Sequence, residues 1–411
     1  MEGDLAAHND SGAHLLLALP ALALGGGIRH TGGMDATAVT RPAPGRWPAA
    51  LTRWGVTPVV AGLWAGHTSI VALAAAVPVP PGPGPAVGGV PWLRWDVGWY
   101  MAIAAHGYAH LPTYYAAYFP GVPAYLWLMH WPLVALLGMQ VVFLLLLAHV
   151  GRLAAAWGLA GWRVTLAQAL VAFSPAAIFY STAYPEAWEA LGLCGALLAM
   201  KAGRPARAAA WSALAGIMDP LGMLIGVGAG VWAGWGLIRR EWPALRPGVT
   251  WGLGSVAALA VVSGTLVANG QRAFGFIGAQ RAWGAHWLLP GVQVWQALTR
   301  SSGPELDTSV MALAMFPVVL AGLIAMMRAI RRSIWHASAL GVSAALVGVA
   351  LAFFTNREPL ASAGRFLSLA IPAAVAVAGI LPRRAVIPVV AWYSLWAIAG
   401  AILFTHGWFW G

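Results

Sequence analysis

The chain has 411 residues, of which 60% are hydrophobic and only 9% charged, and its mean hydropathy is +0.74. That composition excludes a water-soluble domain and a disordered chain. A formal net charge of +11 would suggest nucleic acid in a soluble protein, but the basic residues sit in short clusters between apolar runs. Orientation in a membrane accounts for them, and no nucleic-acid partner is expected.

Residues 1–50 are rich in Gly, Ala and Pro, and Arg41, Arg46 and Arg53 mark their end. They read as a mostly disordered cytoplasmic tail, with a short interfacial helix or a mis-called start as the alternatives. Leu15–Leu24 is too short to span a bilayer. Residues 51–411 then read as a single transmembrane domain.

Apolar runs predict spans at Val56–Val77, Leu133–Val150, Thr165–Ala183, Ala187–Met200, Ala206–Met218 and Leu221–Ile238. Further runs follow at Val249–Ala268, Val310–Met327, Ile334–Phe354, Gly364–Leu381 and Ala385–Phe409. Crossing a hydrocarbon core of about 30 Å takes roughly 20 residues. The basic clusters are Arg152/Arg163, Lys201/Arg204/Arg207, Arg239/Arg240/Arg246, Arg328/Arg331/Arg332 and Arg383/Arg384. With a cytoplasmic N-terminus and about eleven spans, all of them fall on one side, as the positive-inside rule requires. The short runs around Asp219-Pro220 read alternatively as half-helices meeting in a turn. Gly226, Gly230 and Gly234 have the spacing of a helix-packing face. The expected fold is an all-α polytopic transmembrane bundle in the cell membrane.

The opposite face receives two long loops. The first, residues 78–132, opens with the Pro/Gly run Val77–Gly89, a spacer unlikely to fold alone. Arg94–Tyr108 follows, and read as a helix it puts Asp96, Tyr100, Ile103 and Gly107 on one face. This is an outer-face amphipathic helix with a carboxylate between Trp95 and Trp99. Tyr108, Tyr114, Tyr115, Tyr118 and Phe119 come next and suit at least an interfacial belt. The second loop, residues 269–308, carries Gln271, Arg272, Gln280, Arg281, Trp283, His286 and Trp287. Beyond the tail, only Glu241 is a cytoplasmic acid, whereas Asp96, Glu186, Glu189, Asp219, Glu305, Asp307 and Glu358 lie on or near the outer face. Any chemistry belongs there, at an extracytoplasmic site.

Asp96 is the leading candidate. A lone carboxylate suits an inverting sugar transfer from a phosphate-linked donor, as general base toward an acceptor hydroxyl. The departing phosphate needs only a cation. Glycoside hydrolysis would call for two paired acids. Glu186 begins a span, where the helix dipole favours it, and it is also placed to hold hydroxyls. Glu189, one turn on, points into the bundle and needs a partner or a proton, because an unpaired charge there costs roughly 2.5–3.5 kcal/mol. Arg365 breaks the side preference of the basic residues, so it either snorkels to headgroups or forks onto a lipid phosphate. Arg281 and Arg357 are weaker versions of the same case. His106 and His110 are too few for a metal, and neither metal nor cofactor is expected. The lone Cys194 excludes an intrachain disulfide. No nucleotide-binding, zincin or nucleophile-elbow motif occurs, and neither does a repeat of the kind transporters often show.

Taken in order, several segments resemble the PIG-V family of mannosyltransferases and its bacterial relatives, in the GT-C superfamily. Trp95-Asp96, Tyr100, Ile103-Ala104 and Gly107-Tyr108 match the first motif, and Ala117-Tyr118-Phe119-Pro120 with Pro123 the next. Pro175, Phe179, Tyr184 and Glu186 resemble a later signature, Phe276, Gln280 and Trp283 another, and Ser362 with Gly364-Arg365-Phe366 the last. Two departures stand out: Asp219-Pro220 where the family has an Arg, and Ala187 where it usually has Ser. The resemblance implies a GT-C-type bundle, a polyprenyl-phosphate-mannose donor and an outward-facing inverting transfer to a lipid or glycan acceptor. It makes Asp96 the general base, with Arg365 and Arg281 on the phosphate. Glu186 and Tyr100 would orient hydroxyls, Trp95, Trp99 and Trp283 would stack on sugar or prenyl surfaces, and Tyr118 and Gln280 would complete the binding site. A transporter or flippase of lipid-linked sugars and a non-catalytic envelope scaffold are the rival classes, and a GT-C transferase using another sugar is the alternative within the enzyme class.

Overall fold

The computed structural model describes residues 51–411 except 53, 290, 300–305, 332, 355–359, 361, 409 and 411. The expectations for residues 1–50, Glu305, Arg357 and Glu358 therefore lie outside the described residues. The fold is helical throughout, apart from the two-residue antiparallel pair β1 (His286–Trp287) and β2 (Phe353–Phe354).

Among the described residues, six helical stretches are long and apolar enough to cross a membrane: Pro132–Ala156, Pro220–Ile238, Leu245–Ala268, Ser309–Ala329, Ile334–Ala352 and Arg383–Thr405. Pro58–Ala74 and Ile371–Ile380 are apolar but shorter. The runs predicted as spans at Thr165–Ala183, Ala187–Met200 and Ala206–Met218 overlap the helices Trp162–Ala172, Glu186–Lys201 and Pro205–Met218. Prolines in the first turn, such as Pro58, Pro132 and Pro205, start helices where a missing N–H costs nothing.

Close packing joins Pro205–Met218 to Trp242–Ala268. Trp251 is fully buried between them and donates Nε1–H to Ser212 Oγ at 2.8 Å. Gly254 lies against the carbonyl of Ala209 with no room for a methyl group. The Gly226/Gly230/Gly234 spacing marks the contact only in part. Gly226 faces Ser255, Gly230 and Gly234 meet open space, and it is Gly228 that makes room for the Trp251 ring.

The two ends of the bundle differ in charge. At one, Arg163 and Arg383 both lie over the Trp162 ring, at 5.4 and 5.7 Å, and Lys201 lies over Trp335 at 4.9 Å. The other end carries Asp96, Glu186, Asp219 and Arg365, where three departures from the sequence reading shape the site.

The predicted span Thr165–Ala183 is not one helix. It stops at Ala172 and resumes only as the turn Ile178–Ser181, because Pro175 cannot donate a backbone bond. Buried side chains satisfy the interruption: His67 Nε2 lies 3.1 Å from Ser181 Oγ, and Gln140 donates to the Ser181 carbonyl at 2.9 Å. A second break falls at Asp219, between Pro205–Met218 and the tight turn Pro220–Leu224. Third, the Pro/Gly run is no free spacer. The Gly82 and Gly84 amides donate to the carbonyls of His406 and Gly407 at 2.7 and 2.9 Å, and Trp408 Nε1 donates to Pro80 O at 3.0 Å.

Gly254→Ala drives a methyl group into the Ala209 carbonyl and costs about 1–3 kcal/mol. Thermal unfolding in detergent will show a lowered midpoint for Gly254→Ala and none for Gly230→Ala, whose neighbourhood is open.

Candidate active site

Arg365 stands on the short helix Ala363–Ser368 and is 7% exposed. Its Nη1 donates to Asp96 Oδ2 at 2.8 Å and its Nε to Glu186 Oε1 at 2.5 Å. The guanidinium lies over the rings of Phe179 (5.1 Å) and Tyr184 (4.8 Å), so its remaining surface meets π faces instead of lipid. Asp96 and Glu186 each open a helix, Asp96–His106 and Glu186–Lys201. An N-terminal carboxylate is stabilised there by the dipole, and both are aimed at one cation.

Tyr184 links these parts. Its hydroxyl donates to Arg94 O at 3.3 Å and accepts from the Asp96 amide at 3.2 Å, which pins the start of the Asp96 helix to the segment before Glu186. Tyr180 donates to Ser368 O at 2.8 Å, and Ser368 Oγ to Arg365 O at 2.6 Å, which fixes the arginine-bearing turn. The backbone is strained on both sides: φ is +55° at Trp95 and +62° at Ser362. Such non-glycine conformations cost of order 1–3 kcal/mol each and concentrate at functional sites.

The triad lies at a cavity of about 1180 Å³. Every sequence-predicted site residue except Glu186 lines it: Trp95, Asp96, Trp99, Tyr100, Tyr118, Gln280, Arg281, Trp283 and Arg365. Glu186 is 1% exposed and reaches the cavity through Arg365. Its lining includes the apolar Leu221, Leu224, Ile277, Val349, Phe353 and Phe366. It also includes an aromatic cluster, in which Trp99 stacks on Tyr118 at 6.3 Å and meets Trp283 edge-on at 5.2 Å. Tyr114 and Tyr115 complete that cluster, so these aromatics form a packed wall and not only a belt. The Tyr118 hydroxyl points at Asp96 Oδ1 from 3.5 Å. Burial first, and the Asp96 charge next, raise the Tyr118 phenol far above the usual range, so it stays a hydrogen-bond donor.

Other residues of the site carried weaker signals in the sequence. Phe179 and Tyr184 belong to a recognised motif, yet only the structure puts them against Arg365. Asp219 lines the cavity from the break between two helices; its Oδ1 accepts from the Leu221 amide at 3.1 Å, and burial is the main cause that pushes its carboxyl up to about 7. Behind it Glu189 is 2% exposed, and neither of its oxygens is within hydrogen-bonding geometry of a partner. Pro83 and Trp408 close the cavity from the interlaced Pro/Gly run. His106 and His110 join no metal-binding group among the described residues. The chain matches no protein-family model, no curated protein and no solved structure.

Arg365→Met leaves the buried Glu186 and the half-buried Asp96 without their cation, at a cost of about 3–5 kcal/mol. Thermal unfolding of the purified protein will show that loss, and adding Glu186→Gln to the variant will recover part of it.

Proposed function

We propose that this protein is an integral membrane glycosyltransferase. It moves a sugar, mannose in the reading the PIG-V resemblance favours, from a polyprenyl-phosphate donor to a lipid or glycan hydroxyl with inversion. One observation carries the reading: a buried arginine, held extended by two acids, faces a large cavity lined by apolar and aromatic side chains. A guanidinium matches a phosphate, apolar side chains match a prenyl chain, and aromatic faces match a sugar ring. When the donor phosphate arrives, Arg365 exchanges Asp96 for a phosphate oxygen and keeps Glu186. Arg281, also on the cavity wall, adds a second cation. As the sugar–phosphate bond breaks, charge grows on the phosphate, and Arg365 already stands there to receive it.

In this reading the six long apolar helices, together with the shorter segments, make about eleven crossings of the cell membrane in a GT-C-type arrangement. The end bearing Arg163, Lys201 and Arg383 is cytoplasmic by the positive-inside rule, and the cavity opens on the extracytoplasmic side. A transporter of lipid-linked sugars would need charged groups along a path through the bundle, whereas here the acids paired to a buried arginine gather at one end.

Purified protein incubated with a panel of polyprenyl-phosphate sugars will consume one of them and release polyprenyl phosphate. If none is consumed while labelled lipid changes leaflet, the transporter takes its place. Arg365→Lys keeps the charge but loses the fork. Binding of polyprenyl phosphate to that variant is expected to weaken about tenfold or more, a change of at least about 1.4 kcal/mol.

A further inference from the structure

An inverting transfer makes a geometric demand that Asp96 meets poorly. The leaving phosphate and the attacking hydroxyl stand on opposite faces of the sugar, so the base and the phosphate-binding cation have the ring between them. Asp96 is 2.8 Å from Arg365 and so sits on the phosphate side. Asp219 differs in its origin and in its partners. It comes from another pair of elements, the junction of Pro205–Met218 and Pro220–Leu224, and it lines the same cavity. No basic side chain among the described residues is in ion-pair contact with it, although the Arg365 charge reaches it.

We propose that Asp219, not Asp96, takes the proton from the acceptor hydroxyl. The assignment rests on the glycosyltransferase reading and deepens it. The acceptor O–H bond breaks, and its proton passes to an Asp219 carboxylate oxygen. The freed electron pair on the acceptor oxygen forms the new bond to the anomeric carbon. The bond from that carbon to the phosphate oxygen breaks, and its electron pair leaves with the polyprenyl phosphate, neutralised by Arg365. Asp96 acts as the placeholder that keeps Arg365 extended until a phosphate displaces it.

The groups facing Asp219 suit a base. Glu186 and Glu189 from the helix Glu186–Lys201, and Asp96 from the helix Asp96–His106, are like charges that favour proton uptake; Arg365 opposes it. Tyr100, on the latter helix, stays a neutral phenol because burial, above all, raises it well beyond its ordinary value. Arg281 and His286 line the cavity farther out on the second loop. A carboxyl poised near neutrality balances availability of the base form against proton affinity.

The test uses full-length protein in lipid nanodiscs, polyprenyl-phosphate-[3H]mannose as donor and total membrane glycolipid as acceptor. Unlabelled polyprenyl phosphate measures binding separately. The Asp219→Asn amide oxygen still accepts from Leu221, so the turn survives. This variant is expected to bind polyprenyl phosphate within about threefold of the unsubstituted protein, while turnover falls about 10²–10⁴-fold. In the unsubstituted protein turnover rises with pH through about 7, as Asp219 loses its proton, and in Asp219→Asn that rise is gone. Turnover in Asp219→Asn within about threefold of the unsubstituted protein overturns the proposal. So does Asp96→Asn alone removing the pH rise. If the unsubstituted protein neither binds polyprenyl phosphate nor transfers from any such donor, the glycosyltransferase reading itself fails.

Discussion

A guanidinium cannot give up its proton inside a protein, so burying Arg365 obliges the fold to bring it acids. It brings two, from positions 269 and 179 residues away in the chain. Each acid has to emerge from a helix start, and each start depends on an interruption of regular structure. Glu186 follows the break at Ser174-Pro175 and a second proline at Pro185; Asp96 follows Trp95 in a left-handed conformation. A pair of well-packed apolar residues would hold the same elements together at equal or lower cost. Retaining a cation, two acids and a strained backbone on one cavity wall makes sense when a ligand is to meet the cation.

The charge balance around the cavity constrains what enters. Asp96, Glu186, Glu189 and Asp219 gather near Arg365, and Arg281 is the other arginine on the wall. An anion approaching without displacing an acid would face an excess of like charge in a poorly screened space. In the proposed reading, exchange of Asp96 for phosphate on Arg365 resolves this, since the Asp96 side chain is 23% exposed and that of Glu186 only 2%. In that reading Glu186 is the permanent counter-ion and Asp96 the exchangeable one.

Much of this was legible in the residues. Hydrophobic run length placed most of the helices, because in lipid the backbone must satisfy itself within a segment. The rarity of acids and of outer-face arginines picked out Asp96, Glu186 and Arg365, since a charge at such a place needs a reason to be there. What failed was anything set by contact across the chain. Val77–Gly89 has the composition of a spacer, yet Gly82 and Gly84 are glycines because other segments press on them: the Gly407 backbone lies 2.5 Å from a Cβ on Gly82, and the Trp95 ring is as close to one on Gly84. The span at Thr165–Ala183 is apolar enough to read as continuous, and only the proline hinted that partners elsewhere would bond the broken backbone. Asp219 was visible as an anomaly, but its position on the cavity wall depends on a turn that periodicity does not reveal.

The cavity wall draws on residues from Pro83 to Trp408, so its shape depends on the whole bundle. The second loop is a case in point. It is tied down by β1 pairing with β2, by Gln293 donating to Leu351 O at 3.2 Å, and by Gln271 donating to Tyr108 O at 3.0 Å. Those bonds place Gln280, Arg281 and Trp283 against the aromatic wall of the first loop. Likewise Trp410 Nε1 donates to Pro175 O at 2.9 Å, where the broken helix leaves a carbonyl free, and so steadies the segment that carries Phe179 and Tyr184. In the proposed reading the site needs a cation, a base and a sugar-sized gap between them, and it tolerates errors of only about 1 Å. Rigid ties from several directions are the physical means of holding that gap open in a bundle whose helices otherwise meet through nonpolar, easily sliding surfaces.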